Sequence, residues 1–226
     1  MKNLGAEHEN LDYKAYHVLK DMIINRELLP GEKIPQEKVA VDLGISRTPL
    51  VNALKFLEHE KLIKAVPRRG YFVRLFTQQE MISIFELREV LEGLAARRAC
   101  DQISEAGIHK LKGFFKRFEG VSKIKDFKGY AKEDRRFHNF VTDTGAKEFL
   151  RSILGTYNVI VFSYQLDAEE GLVRPPSETI KEHLAIIRAI THRDPEQAEM
   201  LMRLHLRRSL EVLKQGSDAH QIDGSL

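Results

Sequence analysis

Cysteine occurs once in the 226 residues, at Cys100, so neither an internal disulfide nor a multi-cysteine zinc finger can organise this chain. No apolar run approaches the ~20 residues that a membrane helix needs. The first ten residues, MKNLGAEHEN, lack the apolar stretch of a secretory leader, and a cytoplasmic address is the expectation. Catalytic signatures are absent too. There is no His-Glu-x-x-His, no Gly-x-Ser-x-Gly and no Gly-rich phosphate loop, and no histidine follows a glutamate by three residues. Repeats and low-complexity tracts are also missing. These absences point away from an enzyme and leave a globular chain of ordinary composition, 42% hydrophobic and 31% charged.

What is present is a charge asymmetry. Residues 1–76 hold 13 Lys and Arg against 10 Asp and Glu, while residues 77–226 hold 23 of each, so the net +3 sits on the first third. A phosphate backbone favours such a surface through counterion release.

That same third is punctuated like a winged helix-turn-helix. A helix over residues 11–27 turns Tyr16, Leu19 and Ile23 inward, and Leu29-Pro30-Gly31 ends it. A short second helix carries Val39, Ala40 and Leu43 on one face, and Gly44 supplies the tight turn. A third helix opens at Ser46-Arg47-Thr48-Pro49, with a hydroxyl to cap it, and buries Leu50, Ala53, Leu54 and Leu57. Two strands, Leu62 to Val66 and Tyr71 to Leu75, flank Pro67-Arg68-Arg69-Gly70. Such a unit sets one helix in a DNA major groove with a basic hairpin tip beside it. Arg47, Thr48, Asn52 and Lys55 fall on the exposed face of that helix, and Arg68 and Arg69 on the tip; these are the expected DNA-binding residues.

From Thr77 onward the periodicity is helical throughout. Thr77-Gln78-Gln79-Glu80 is a capping box, and helices are expected at about 77–100, 104–120, 125–143, 146–168, 176–192 and 194–214. Asp194-Pro195 starts the last helix and Gly216 stops it, leaving a polar tail. The fold class is therefore mainly α: a winged helix-turn-helix domain over 1–76, then an all-α bundle over 77–226, to which the resemblance given below assigns effector binding and dimerisation.

Three helices of the bundle carry polar groups on apolar stripes. Asp134 and His138 sit one turn apart among Phe127, Tyr130, Phe137 and Val141. His183 lies among Ile180, Leu184, Ile187 and Ile190, and His205 among Leu201, Met202, Ser209 and Val212. Buried carboxylates and imidazoles need partners. One divalent cation would satisfy all four groups, and a three-imidazole, one-carboxylate set suits zinc or nickel; hydrogen-bonded core histidines are the alternative. Arg88 shares a helix side with Ile84, Leu91 and Ala95, and either clamps an effector or pairs with Glu92 four residues on. Arg135, beside Asp134, is a second effector-binding candidate.

Leu29-Pro30-Gly31-Glu32-Lys33-Ile34, Leu43-Gly44-Ile45-Ser46-Arg47-Thr48-Pro49 and Pro67-Arg68-Arg69-Gly70-Tyr71-Phe72-Val73 resemble the amino-terminal domain of GntR-type bacterial regulators. The all-α remainder is similar to the FCD effector-binding domain of their FadR-like branch. The resemblance implies the same metal set, Asp134, His138, His183 and His205, a pocket arginine near Arg88, and a homodimer on a palindromic double-stranded operator. It implies a small carboxylate effector bound at the metal. The chain departs from the pattern at Val51 and Asn52, where such regulators usually carry Arg-Glu, so an altered operator is expected; Asn52 suits adenine and Val51 a thymine methyl. Two other readings compete with a ligand-responsive regulator. One is a metal-dependent hydrolase with a nucleic-acid-binding module, the other an architectural DNA-binding dimer that senses nothing.

Overall fold

Apolar spacing in the first 75 residues becomes three helices and a hairpin. The computed structural model describes residues 11–121, 123–146, 150–155 and 172–221, with backbone alone after residue 215, and divides after Leu75 into two units. In the first, α1 (Leu11–Ile24) buries Ala15, Tyr16, Leu19 and Ile23. It packs on α3 (Arg47–His59), whose Leu50, Ala53, Leu54 and Leu57 are wholly buried. The Tyr16 hydroxyl donates to Glu60 Oε1 at 2.6 Å and Lys20 Nζ to Glu60 Oε2 at 2.8 Å, so the two helices are also tied by polar bonds at the foot of α3.

Between α2 (Gln36–Asp42) and α3 the chain turns at Gly44, with φ of 63°, a conformation that costs glycine little. The expected hydroxyl cap is not made: Ser46 occupies the N-cap position in extended backbone, but its side chain accepts no cap bond. Strands β1 (Ile63–Val66) and β2 (Gly70–Val73) pair antiparallel from Ile63↔Val73 to Val66↔Gly70. They are shorter than the sequence runs. The segment 31–34 joins this hairpin from the other side: Gly31 N donates to Val73 O, Val73 N to Glu32 O and Ile34 N to Tyr71 O, each at 2.9 Å. Nothing in the spacing of Leu29-Pro30-Gly31 announces that third, strand-like edge.

The second unit opens on the expected capping box. Thr77 Oγ1 accepts from Glu80 N at 3.2 Å and Glu80 Oε2 from Thr77 N at 2.8 Å, starting α4 (Gln78–Gln102). Then come α5 (Glu105–Leu111), a 3₁₀ turn (Lys116–Phe118), α6 (Phe127–Gly145), α7 (Pro176–Thr191) and α8 (Pro195–Gln221); residues 150–155 are also helical. The single helix expected over 104–120 is broken. Phe115 adopts a left-handed φ of 62°, which buries Phe114, Phe115 and Phe118 together and cannot be continued as α-helix. Most of the helix expected over 146–168 lies outside the described residues. Gly216 does not stop α8, which continues to Gln221; glycine weakens a helix by only ~1 kcal/mol relative to alanine. Val212 is 43% exposed, and Leu213 takes the inward position instead. No described helix is long and apolar enough to cross a membrane.

Helix α4 is the hub, packed against α6, α7 and α8. Two features set its neighbours. Arg207 on Glu89, Arg97 on Glu196 and Lys214 on Glu86 line the α4–α8 seam. At the α4–α6 crossing, a Cβ on Gly145 would overlap the Ala95 carbonyl. Only glycine permits that approach; two turns earlier on α6, His138 meets Glu92 of α4.

Candidate metal centre

Four side chains from three helices meet inside the second unit. Asp134 and His138 come from one turn of α6, His183 from α7 and His205 from α8; the three imidazoles are buried. Each imidazole offers a ring nitrogen, and these nitrogens lie within 4.8 Å of one another. His183 Nε2 is 3.3 Å from His205 Nε2 and 3.2 Å from Asp134 Oδ1, while His138 Nε2 is 4.0 Å from the same oxygen.

The opposite nitrogen of every ring is held. His138 Nδ1 lies 2.6 Å from Glu92 Oε2, His205 Nδ1 2.8 Å from Glu182 Oε2, and His183 Nδ1 3.1 Å from the Tyr130 hydroxyl, itself 2.8 Å from Thr179 Oγ1. Burial alone would raise the Glu92 carboxyl, but the adjacent Arg88 and His138 hold it down at about 2. Burial likewise opposes ionisation of Glu182, and hydrogen bonds from His205, Arg174 and Arg208 overcome it, leaving its acidity far below the usual range. An ionised carboxylate only accepts, so the protons of His138 and His205 sit on Nδ1. Burial lowers the pKa of His183, aided by the neighbouring His205 and His138. Burial also lowers that of His205, against the opposing pull of its bond to Glu182.

Phe115 lies flat on the His183 ring, with centroids 4.6 Å apart and an interplanar angle of 8°. The left-handed backbone of Phe115 thus lies directly beside the imidazole cluster.

A cation suits this donor set. The Nε2 lone pairs of His138 and His205, the Nε2 atom of His183 and the Asp134 carboxylate converge, with two carboxylates and a hydroxyl holding the rings from behind, as ligating histidines require. Tetrahedral zinc bonds of ~2.0–2.1 Å imply nitrogen spacings of roughly 3.3 Å, the separation between the His183 and His205 Nε2 atoms.

Beside the cluster lies a cavity of about 40 Å³ lined by residues including Phe85, Arg88, Asp134, His138, Arg174 and His205. His183 does not line it. Arg88 Nε donates to Glu92 Oε1 at 2.6 Å, the pair within its helix that the sequence offered, and the residue also lines the cavity. Arg135 is half-buried and is not among the lining residues. Arg174 stands there instead, buried, donating to Glu182 Oε2 and Oε1 at 2.8 and 2.9 Å. Glu92, Glu182, Arg174 and Tyr130 were all missed as parts of the site. The one usable signal was Glu92, a charged residue on the buried Arg88–Ala95 stripe of α4.

In the first unit, Arg47, Thr48 and Lys55 are exposed along α3, and Arg68 and Arg69 at the hairpin tip. The Arg69 guanidinium lies 5.6 Å from the centre of the Phe72 ring. Asn52 differs: it is half-buried, and its Nδ2 donates to Asp12 Oδ2 at 2.9 Å.

Two family models match this chain: "Bacterial regulatory proteins, gntR family" over residues 11–73 and "FCD domain" over residues 83–208. The chain is 27% identical over 201 residues to the HTH-type transcriptional regulator YdhC of Bacillus subtilis (strain 168), covering 88% of this chain and 89% of that protein. It is 23% identical over 205 residues to the HTH-type transcriptional repressor RspR of Escherichia coli (strain K12), covering 91% and 90%. Among solved structures, E. coli McbR/YncC superposes with a TM-score of 0.74 at 17% identity, over 92% of this chain and 98% of that one. At that identity the likeness speaks for the fold.

Proposed function

The chain belongs to the gntR family of bacterial regulatory proteins and carries an FCD domain, and from that premise we propose that its operator affinity is set by a small organic acid bound at a metal ion in the helical unit. The chain is a DNA-binding transcriptional regulator, and its relatives are transcriptional regulators rather than enzymes.

The observation that carries the finer reading is the convergence of three buried imidazoles, each with its second nitrogen held, beside a cavity that two arginines line. His138, His183 and His205 with Asp134 hold a divalent ion, zinc or nickel, in this reading. When bound, that ion supplies an open position for an oxygen donor. Arg88 Nε is bonded to Glu92 and its guanidinium lies over the Phe85 ring, 4.9 Å from the centroid; its two terminal nitrogens make no further hydrogen bond among the described residues, and in this reading they are the donors for an effector carboxylate. Arg174 closes the other side.

On the DNA side, Arg47, Thr48 and Lys55 enter the major groove and Arg68 and Arg69 meet the backbone beside it; Asn52 ties α3 to α1. Two copies of the chain would read the half-sites of a palindrome. An effector shifts operator binding only by its differential affinity for two arrangements of the protein, typically ~1–3 kcal/mol, or roughly 5–150-fold.

Fluorescence anisotropy tests this. Zinc-loaded protein is titrated onto DNA from upstream of its own gene, with and without a panel of acetate, lactate and citrate. The expected result is sequence-specific binding whose affinity changes at least fivefold with one acid, and no change in a His183→Ala, His205→Ala variant. Specific binding with equal acid response in that variant contradicts the metal-sensing reading.

A further inference from the structure

Glu92 is the most enclosed carboxylate among the described residues of the helical unit, and its two oxygens serve two different donors. Oε1 accepts from Arg88 Nε and Oε2 from His138 Nδ1, both at 2.6 Å, with all three side chains at most 4% exposed. Arg88 can only donate. Whatever stands between it and His138 must therefore offer an acceptor to the arginine, and what remains for the histidine depends on the chemistry of that group.

A carboxylate offers an acceptor to both, and His138 then carries its proton on Nδ1 with the Nε2 lone pair turned toward His205, His183 and Asp134. A neutral amide of the same shape cannot do so. Its oxygen is claimed by the guanidinium, its NH₂ faces His138 Nδ1, and the ring must move its proton to Nε2, where it blocks a metal ion. We propose that the Arg88–Glu92 pair is a tautomer lock, in which Glu92 is a positioning residue for the metal site and Arg88 is the residue that makes a carboxylate obligatory there. Arg88 thereby acts on the metal site through Glu92 and lines the cavity with its guanidinium end. This links the two halves of the site by a device that neither half shows alone.

The same pattern recurs at Glu182, which joins Arg174 to His205 Nδ1. There a second arginine, Arg208, also donates to the carboxylate from the exposed side. No single arginine substitution would release Glu182, so Glu92 gives the cleaner test.

The proposal rests on the metal-site reading for its consequence, but its primary readout needs no metal. In chelator-treated full-length protein at about pH 8, above the ordinary histidine range, ¹⁵N chemical shifts of the histidine rings report which nitrogen carries the proton. Wild-type His138 is expected as the Nδ1–H form and Glu92→Gln as the Nε2–H form. The double variant Arg88→Met, Glu92→Gln frees the amide to turn its oxygen to His138, so it is expected to regain Nδ1–H. Cobalt affinity, read by competition and by the visible absorption of the bound ion, should follow. It should fall by roughly 10–100-fold in Glu92→Gln, the range for removal of orienting partners of metal ligands, and recover in the double variant.

A purely structural role for Glu92 gives no rescue, because the double variant removes more packing and charge than the single one. An Nε2–H wild type overturns the lock, as does a double variant that stays in the Nε2–H form. If Glu92→Gln does not fold, the wild type and the charge-neutral double variant still decide. A wild type that binds no cobalt yet shows the expected tautomers defeats the metal-site reading and leaves the lock intact.

Discussion

Loading the metal-free protein with Zn²⁺ should raise its thermal stability by an amount that can be worked out beforehand. An ion that binds only the folded state adds ~2.7 kcal/mol at a hundredfold excess over its Kd. For a chain of this size each kcal/mol moves Tm by ~2–4 °C, so the transition of the helical unit should climb by roughly 5–11 °C. His183 and His205 are buried with depressed basicity, which leaves their rings neutral and open to the ion at neutral pH. Differential scanning calorimetry in chelator-treated buffer, with and without added zinc, measures the shift. His183→Ala provides the control. That variant also loses the ring stacked on Phe115, so the comparison is between zinc-induced increments and not between absolute midpoints. A wild-type increment below ~1 °C at saturating zinc corresponds to well under 1 kcal/mol and refutes the reasoning. So does an undiminished increment in His183→Ala.

Other outcomes follow from particular residues. Because burial lowers the pKa of His183 and His205 below the ordinary 6.5, the unfolded chain binds more protons than the folded one as pH falls below 6.5. The stability of the metal-free protein is therefore full above that value and declines below it by up to ~1.4 kcal/mol per pH unit for each histidine; urea titrations across this window should show the slope, and a flat profile contradicts it. Glu92, held at about 2 from an ordinary 4.5, adds a separate loss that begins only as pH drops through 4.5. Gly145→Ala sets a methyl group against the Ala95 carbonyl and should cost ~1–3 kcal/mol, with weaker cobalt binding because His138 is displaced from Glu92; an unchanged Tm would show that α4 and α6 can separate freely. Replacing both Arg68 and Arg69 with alanine should flatten the dependence of log affinity on log salt by ~0.9 for each phosphate that is no longer neutralised. Asn52→Ala should cost ~0.5–1.5 kcal/mol of stability through its bond to Asp12, measured by urea unfolding, and leave operator preference in place.

How far the sequence carried the account depended on whether a feature was local. The Leu50-Ala53-Leu54-Leu57 stripe and the Thr77–Glu80 box are written within one helix turn or two, where spacing alone dictates burial and capping. The break after Leu111 escaped detection because Phe114, Phe115 and Phe118 keep a helical spacing while Phe115 leaves helical backbone. Gly216 is the converse case: a glycine permits a helix to stop and does not compel it, and the last helix runs on to Gln221. Within the site, each histidine stood out as a polar residue on an apolar stripe, a signal confined to its own helix. The partners on their far nitrogens did not stand out. Glu92 looks in sequence like the surface half of a pair with Arg88, and only the close α4–α6 approach at Gly145 turns its second oxygen to His138. Arg174 sits just after a Gly-Leu-Val run with no periodicity to place it, so Arg135, next to a recognised residue, drew attention instead.

Anomalous X-ray diffraction from crystals of the native protein, collected at the absorption edges of zinc and nickel, addresses the metal centre most directly. A single strong peak per chain is expected at one of those edges, bonded at ~2.0–2.2 Å to the Nε2 atoms of His138, His183 and His205 and to Asp134. Density without any anomalous peak among those three rings, or a peak seated elsewhere in the chain, would contradict it.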